Sequence, residues 1–387
     1  MATFNSTIQG SSTGDTLIGT EADQLVQGAS SADSLGSKYG SSCLVGSGGA
    51  DTFYTNNTVN GVGTGNTLAG GTGSDSFGFG TYAATSVAIY GNQDADTVNL
   101  TGSFISSSAY AGKGEDSLRF AETVTASNIE GNSGNDTIDI TAPLQGSTVH
   151  GGAGADRVSL TGTVSNSTLV GGAGTDRLVF NDTVIDTSIE GGADSSADGA
   201  DTIEFVYAAT STSVSGGYAA DSISFSRGLT GGQVLGGSGA DSITVSLALS
   251  GAEIYGNVDA DSIAIQGSAV SGSIFGGKAN DIISVSGKLN AARLEGNSGA
   301  DSIVVGSTAT NSSIYGGAGN DSLSLAGVSG GYAEGQLGAD SINVGGAVEN
   351  AEINLTKSSD PNNSDDGADT FVVGSSISGS TVRTGAG

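Results

Sequence analysis

Gly151-Gly152-Ala153-Gly154-Ala155-Asp156-Arg157-Val158-Ser159-Leu160 is followed, 20 residues later, by Gly171-Gly172-Ala173-Gly174-Thr175-Asp176-Arg177-Leu178-Val179-Phe180. The aspartate recurs at Asp96, Asp116, Asp136, Asp156 and Asp176, and again, after a five-residue insertion, at Asp201, Asp221, Asp241, Asp261, Asp281, Asp301 and Asp321. Asp340 and Asp369 follow at spacings of 19 and 29. A short fixed period, with turn residues in one half and apolar alternation in the other, is the mark of a solenoid.

The apolar rows give each coil its strands. Two residues after the aspartates stand Val98, Leu118, Ile138, Val158 and their successors; two further on stand Leu100, Phe120, Ile140 and Leu160. A period of two is a strand with one buried face. Another row lies seven residues before the aspartate, at Ile89, Ile129, Val149, Leu169, Val214, Val234 and Ile254, with Ala109 and Ala333 as small members. Each coil is therefore expected to hold two short strands and two turns, one Gly-rich and one rich in Ser, Thr, Asn and Gly. Repeated Gly-Gly pairs exclude helix.

The expected fold is all-β: a parallel β-solenoid (β-roll or β-helix) of about 18 coils, stacked at the strand spacing of about 4.8 Å. Residues 1–36 read as nonapeptide-like coils opening at Gly10, Gly19 and Gly28. Residues 37–85 are less regular, 86–346 hold the regular 20-residue repeat, and 347–387 are C-terminal coils with an acidic loop. All four regions are expected to form one continuous solenoid. Residues 193–198 and 357–366 interrupt the rhythm as candidate edge loops.

Composition narrows the function. The chain has 387 residues, 67 Gly, 2 Pro, no Trp, and a net charge of -29 with 11 Lys and Arg. So few basic groups exclude a phosphate-binding surface, and nucleic acid is not an expected partner. No stretch is long and apolar enough to span a membrane. Cys43, the only cysteine, can form neither an intramolecular disulfide nor a cysteine metal site. The N-terminus lacks a basic segment followed by an apolar run, so no cleaved signal peptide is expected. The sole histidine, His150, lies in the outward row of Tyr90, Tyr110, Glu130, Val170, Glu190, Tyr255, Phe275, Glu295 and Tyr315. Nothing marks a nucleophile with a base and orienting group, and no enzymatic activity is expected.

The aspartate row needs neutralising. Carboxylates 4.8 Å apart repel by about 3 kcal/mol per pair at an effective dielectric near 20, and only Lys113, Arg157, Arg177 and Lys278 fall nearby. Calcium suits such a row, because it takes six to eight oxygens from carboxylates and carbonyls, and glycines let a turn aim its carbonyls inward. The expected carboxylate ligands are Asp15, Asp33, Asp51, Asp75, Asp96, Asp116, Asp136, Asp156, Asp176, Asp201, Asp221, Asp241, Asp261, Asp281, Asp301, Asp321, Asp340 and Asp369. The expected carbonyl donors are Gly131, Gly134, Gly151, Gly154, Gly171, Gly174, Gly236, Gly239, Gly296, Gly299, Gly316 and Gly319. The alternative is a metal-free solenoid whose aspartates hydrogen-bond turn amides.

Gly151 to Ser159 and Gly316 to Ser324 fit Gly-Gly-x-Gly-x-Asp-x-apolar-x at every defined position. The pattern resembles the RTX, or haemolysin-type, calcium-binding repeat. That resemblance covers most of the chain and implies a parallel roll with Ca2+ between coils and type I secretion without an N-terminal signal. It departs in carrying the motif on one edge of the 20-residue coil, as calcium solenoids of large bacterial surface adhesins do. The second Gly is replaced at Asn92, Asn132, Asn257 and Asn297, and the third at Asp94, Ala219, Asp259 and Ala279. Asn and Asp tolerate a left-handed turn; the Ala turns are expected to bind poorly.

Residues 380–387, Ser-Thr-Val-Arg-Thr-Gly-Ala-Gly, match 147–154 up to the position before "x-Asp", and Ala2 of a following copy would fall 20 residues after Asp369. An open solenoid end is an unpaired strand edge. The expectation is a secreted calcium-binding structural protein that assembles head-to-tail with itself into an extracellular filament, sheath or surface layer, with the cell surface or matrix as its setting. The competing reading is a calcium-rigidified spacer or adhesin module of a longer RTX protein. Ice binding needs a regular Thr or Asn ladder, and the outward loop residues Lys113/Glu115, Ser133/Asn135, Ala153/Ala155 and Ala173/Thr175 are irregular. A polysaccharide-binding region would stand out as non-repeating, which only residues 37–85 and 355–368 do.

Overall fold

A computed structural model describes residues 4–38, 40–55, 64–192, 197–356 and 367–384. The chain divides into two units, 1–197 and 198–387. Each is an all-β parallel solenoid with a repeat of roughly 20 residues, and no helix occurs among the described residues. The two interrupting segments, apart from Ala197 and Asp198, and the terminal residues 1–3 and 385–387 used in the head-to-tail match, lie outside the described residues.

In the first unit a regular coil reads Thr148–Ala153, Arg157–Leu160, Val164–Ser165. The next coil repeats it in exact parallel register: Val149 opposite Leu169, Val158 opposite Leu178, Val164 opposite Val184. In the second unit Glu253–Val258, Ser262–Ile265 and Ala269–Val270 do the same, with Ile254 opposite Ile274 and Ile263 opposite Ile283.

The expected inward rows are the core. Val158, Leu160 and Val149, like Ile263, Ile265 and Ile254, are at most 1% exposed. Ala109 and Ala333, the small members, are fully buried. Phe53 stacks on Phe77 with ring centroids 4.6 Å apart, and Phe205 on Phe225 at 4.5 Å.

Two features differ from the sequence reading. A coil has three strands, not two: a two-residue strand adds a further inward row at Phe104, Val124, Leu144 and Val164 in the first unit and Leu229, Leu249 and Leu289 in the second. A strand this short has no alternation to betray it. The first coils are also shorter, with Ser6 opposite Gln24 and Thr16 opposite Ser34. There two nonapeptides make one 18-residue coil of two strands.

Turn conformations follow the residue types. The second and third glycines adopt positive φ, for example Gly152 at 125° and Gly154 at 142°. Asn92, Asp94, Asn132, Asn257, Asp259 and Asn297 occupy the same region at 71° to 83°, as expected for side chains that tolerate it. Ala219 and Ala279 are there too, at 73° and 74°.

Candidate metal-binding edge

The aspartates face inward. Every ladder member from Asp33 to Asp176 in the first unit, and from Asp201 to Asp340 in the second, is at most 3% exposed; Asp15 and Asp369 are half-buried. The strand period carries them there: Asp156 stands two residues before Val158 and four before Leu160, on the same inward face.

One carboxylate oxygen has a repeated partner. The amide of each aspartate donates to Oδ1 of the aspartate one coil on: Asp15 to Asp33, then Asp51, Asp75, Asp96, Asp116, Asp136, Asp156 and Asp176, at 2.6–2.8 Å. In the second unit the same bond runs from Asp201 through Asp221, Asp241, Asp261, Asp281, Asp301, Asp321 and Asp340 to Asp369, at 2.7–2.8 Å. Aspartates bonding turn amides are thus part of the structure, whatever else the row holds.

The other oxygen differs along the row: Oδ2 of Asp15 accepts from Ser11 and that of Asp33 from the Ala29 amide. Oδ2 of Asp51, Asp75, Asp96, Asp116, Asp136 and Asp156 in the first unit, and of Asp221, Asp241, Asp261, Asp281, Asp301 and Asp321 in the second, is buried without a hydrogen-bond partner. Each of these except that of Asp116 faces the first glycine of its own turn. A Cβ on Gly131 would lie 2.3 Å from Asp136 Oδ2 and 2.3 Å from the carbonyl oxygen of Gly151; on Gly256, 2.2 Å from Asp261 Oδ2 and 2.4 Å from the Gly276 carbonyl. A carboxylate oxygen and the next coil's carbonyl therefore converge on a space that glycine keeps open. A buried carboxylate oxygen without a donor needs a cation or a proton beside it. Ala111, buried at the equivalent position before Asp116, is the exception.

The structure sorts the expected carbonyls. Those of Gly151 and Gly171, and of Gly236, Gly296 and Gly316, approach the first glycine of the preceding coil, beside the aspartate Oδ2. Those of Gly134, Gly154, Gly299 and Gly319 stack on the third glycine of the next coil, or on Gly338, where a Cβ would lie 1.8–2.0 Å away.

Burial sets the electrostatics. Desolvation is the largest cause pushing Asp75 and Asp96 up to about 7 and Asp116, Asp136 and Asp156 up to about 6; backbone hydrogen bonds oppose it, and ladder neighbours add to it. In the second unit Asp221, Asp241, Asp261, Asp281 and Asp321 rise to about 7 for the same leading reason. Asp94 adds repulsion at Asp75 and Asp96, and Asp259 at Asp241 and Asp261.

A second ladder on the opposite edge was not anticipated. The amides of Val87, Ser107, Ser127 and Ser147 donate to the hydroxyls of Ser107, Ser127, Ser147 and Ser167 at 3.0–3.2 Å. The Ser42 amide donates to Asn66 Oδ1, and Gln24 Oε1 accepts from Thr20 and Glu21. Gln24, not the exposed Asp23, fills the ladder position in the second nonapeptide. The 20-residue spacing of Ser107, Ser127, Ser147 and Ser167 was the available signal.

No family model matches the chain, and no curated protein matches it. Among solved structures it is similar to the X-ray crystal structure of a hyperactive, Ca2+-dependent, beta-helical antifreeze protein from an Antarctic bacterium, with 21% identity, a TM-score of 0.40, and coverage of 88% of this chain and 84% of that one.

Proposed function

We propose that the aspartate edge binds a row of Ca2+ ions, and that the chain is a calcium-stabilised structural solenoid that works outside the cell. The observation that carries this is the contrast between the two edges. On one edge, neutral Asn66 and serines accept the ladder amides. On the other, the same task falls to Asp in every coil, although a buried charge is costly without a partner. Capping an amide does not require that charge; holding a cation does. Hard carboxylate and carbonyl oxygens suit calcium, and Oδ2 with the first-glycine carbonyls of the next coil would supply them. When bound, Ca2+ supplies the positive charge that the stacked carboxylates lack.

Assembly with further copies belongs to the same reading. Among the described residues Ser6–Gln9 pairs only with Gln24–Gln27, and Thr370–Val373 only with Ser341–Val344. Ile377 is 44% exposed, whereas Val348, its equivalent one coil earlier, is fully buried. Thr381–Arg383 of one copy laid along Ser6–Gln9 of another would continue the parallel ladder.

Calcium counted per chain by mass spectrometry after gel filtration, with electron microscopy in calcium and in chelator, tests both parts. Several ions per chain and filaments that dissolve on chelation are expected. A chain that binds no calcium overturns the metal reading. Discrete particles in calcium overturn end-to-end assembly alone.

A further inference from the structure

The ladder carboxylates fall into two classes, and the turn before each one separates them. In the 18-residue coils Oδ2 takes donors from its own turn. The Ser11 amide and hydroxyl reach Asp15 Oδ2 at 2.5 and 2.9 Å, and the Ala29 amide reaches Asp33 Oδ2 at 2.8 Å. Oδ1 of Asp33 accepts from the Asp15 amide at 2.7 Å. Asp33 is thus buried with an amide on each oxygen. Hydrogen bonds to the ionised form stabilise it without a counter-ion.

Between Asp15 and Asp33 the same task is done by a neutral side chain. Gln24 Oε1 accepts from the Thr20 and Glu21 amides of its own turn at 2.7 and 3.0 Å. Thr20 follows Gly19 as Ser11 follows Gly10 and Ala29 follows Gly28. In these nonapeptides the turn amides need an oxygen, not a charge.

From Asp51 onward the turn changes. Its second residue, Ser47, has a φ of 84°, and the same position is left-handed at Asn92, Asn132 and Gly152 in the first unit and at Asn257 and Gly317 in the second. Ser11 and Ala29 are not left-handed. In each of the left-handed turns Oδ2 of the aspartate is buried with no donor. Space alone does not separate the classes: a Cβ on Gly28 would lie 2.3 Å from Asp33 Oδ2 and 2.8 Å from the Gly46 carbonyl, much as on Gly131. What differs is the amide. An N–H aimed at Oδ2 puts partial positive charge where a cation would sit, and repels it.

We infer that the calcium row begins at Asp51, and that the coils of Asp15 and Asp33 are a metal-independent end of the first unit. The inference rests on the calcium reading above and sets where it applies. The residue after the first glycine is the switch: where it is left-handed its amide leaves Oδ2, and the coil takes metal. Asp15 and Asp33, expected as ligands from the sequence, cap turn amides instead.

The test counts calcium per full chain by native mass spectrometry and reads melting temperature in calcium and in chelator. Asp33→Asn keeps one of its two amides and sets Nδ2–H against the other. It is expected to bind as many ions as the wild type and to melt lower in both media. Asp136→Asn is expected to bind fewer ions and to melt lower in calcium only. Asp15→Asn, at the half-buried end, keeps an oxygen for the Ser11 amide and repeats the count should Asp33→Asn fail to fold. Loss of calcium from Asp33→Asn or Asp15→Asn overturns the inference, and so does an Asp136→Asn chain that keeps the full number. A wild type that binds no calcium is a separate failure, of the reading beneath the inference, and is seen before any variant is compared.

Discussion

The amide of Asp136 donates to Oδ1 of Asp156, one coil on, at 2.7 Å, while Oδ2 of each of these aspartates is buried without a partner. One carboxylate thus does two things. Oδ1 ties successive coils together and needs no charge. Oδ2, beside a carbonyl in a space kept open by glycine, would on the proposed reading be satisfied by a cation at neutral pH or a proton in acid. The predictions follow from separating the two oxygens.

Asp241→Asn keeps an oxygen for the Asp221 amide and places Nδ2–H toward the Gly256 carbonyl. In chelator this relieves a buried unpaired group and is expected to stabilise by about 1–3 kcal/mol. In calcium it removes a ligand and destabilises. Melting temperatures with and without chelator should therefore shift in opposite directions.

Gly256→Ala places a Cβ 2.2 Å from Asp261 Oδ2 and 2.4 Å from the Gly276 carbonyl. A cost on the order of 2 kcal/mol is expected from overpacking, with less calcium bound per chain. Ala111→Gly is the reverse experiment: it opens the space before Asp116 and should raise the calcium content or affinity. Isothermal titration of both variants reads these changes.

Ser147→Ala removes the hydroxyl that accepts the Ser127 amide at 3.1 Å on the opposite edge. A buried amide loses its partner, at about 1–3 kcal/mol. Calcium binding should be unchanged. A loss of calcium would mean that the two edges are not separate.

Ala219 and Ala279 hold φ near 73° and 74°, a conformation that costs an L-residue roughly 1–2 kcal/mol. Replacing either with Gly should stabilise by about 0.5–1 kcal/mol once the larger unfolded-state entropy of Gly is subtracted. Chemical denaturation in calcium measures it.

Much of the fold was legible because each inward row repeats: Val158, Leu178 and Ile203 are read at once by spacing. The row at Val164 was missed because a two-residue strand carries no alternation. The aspartates were legible as a row, and the period of two that Asp156 shares with Val158 and Leu160 directs them inward; which carboxylate oxygen is bonded depends on contacts between coils. The first glycine reads as a turn former; that Gly131 keeps a space clear between Asp136 and Gly151 is a contact between coils, invisible along one coil. Gln24 and Asn66 were hidden for a related reason, because amide and hydroxyl ladder members vary while aspartates do not.

The most direct measurement is the melting temperature from pH 4 to pH 8, with calcium and with chelator. Burial raises the folded-state pKa of Asp75 and Asp241 from 3.8 to about 7, so without metal the folded state binds more protons than the unfolded one. That contribution to stability is complete below about pH 4 and is lost as pH rises through 7. On the proposed reading calcium replaces the protons and works only on the ionised row. The account predicts that in chelator the protein melts progressively lower as pH rises toward 8, that in calcium it melts higher, and that the two curves converge in acid. Coincident curves across the whole range would contradict it.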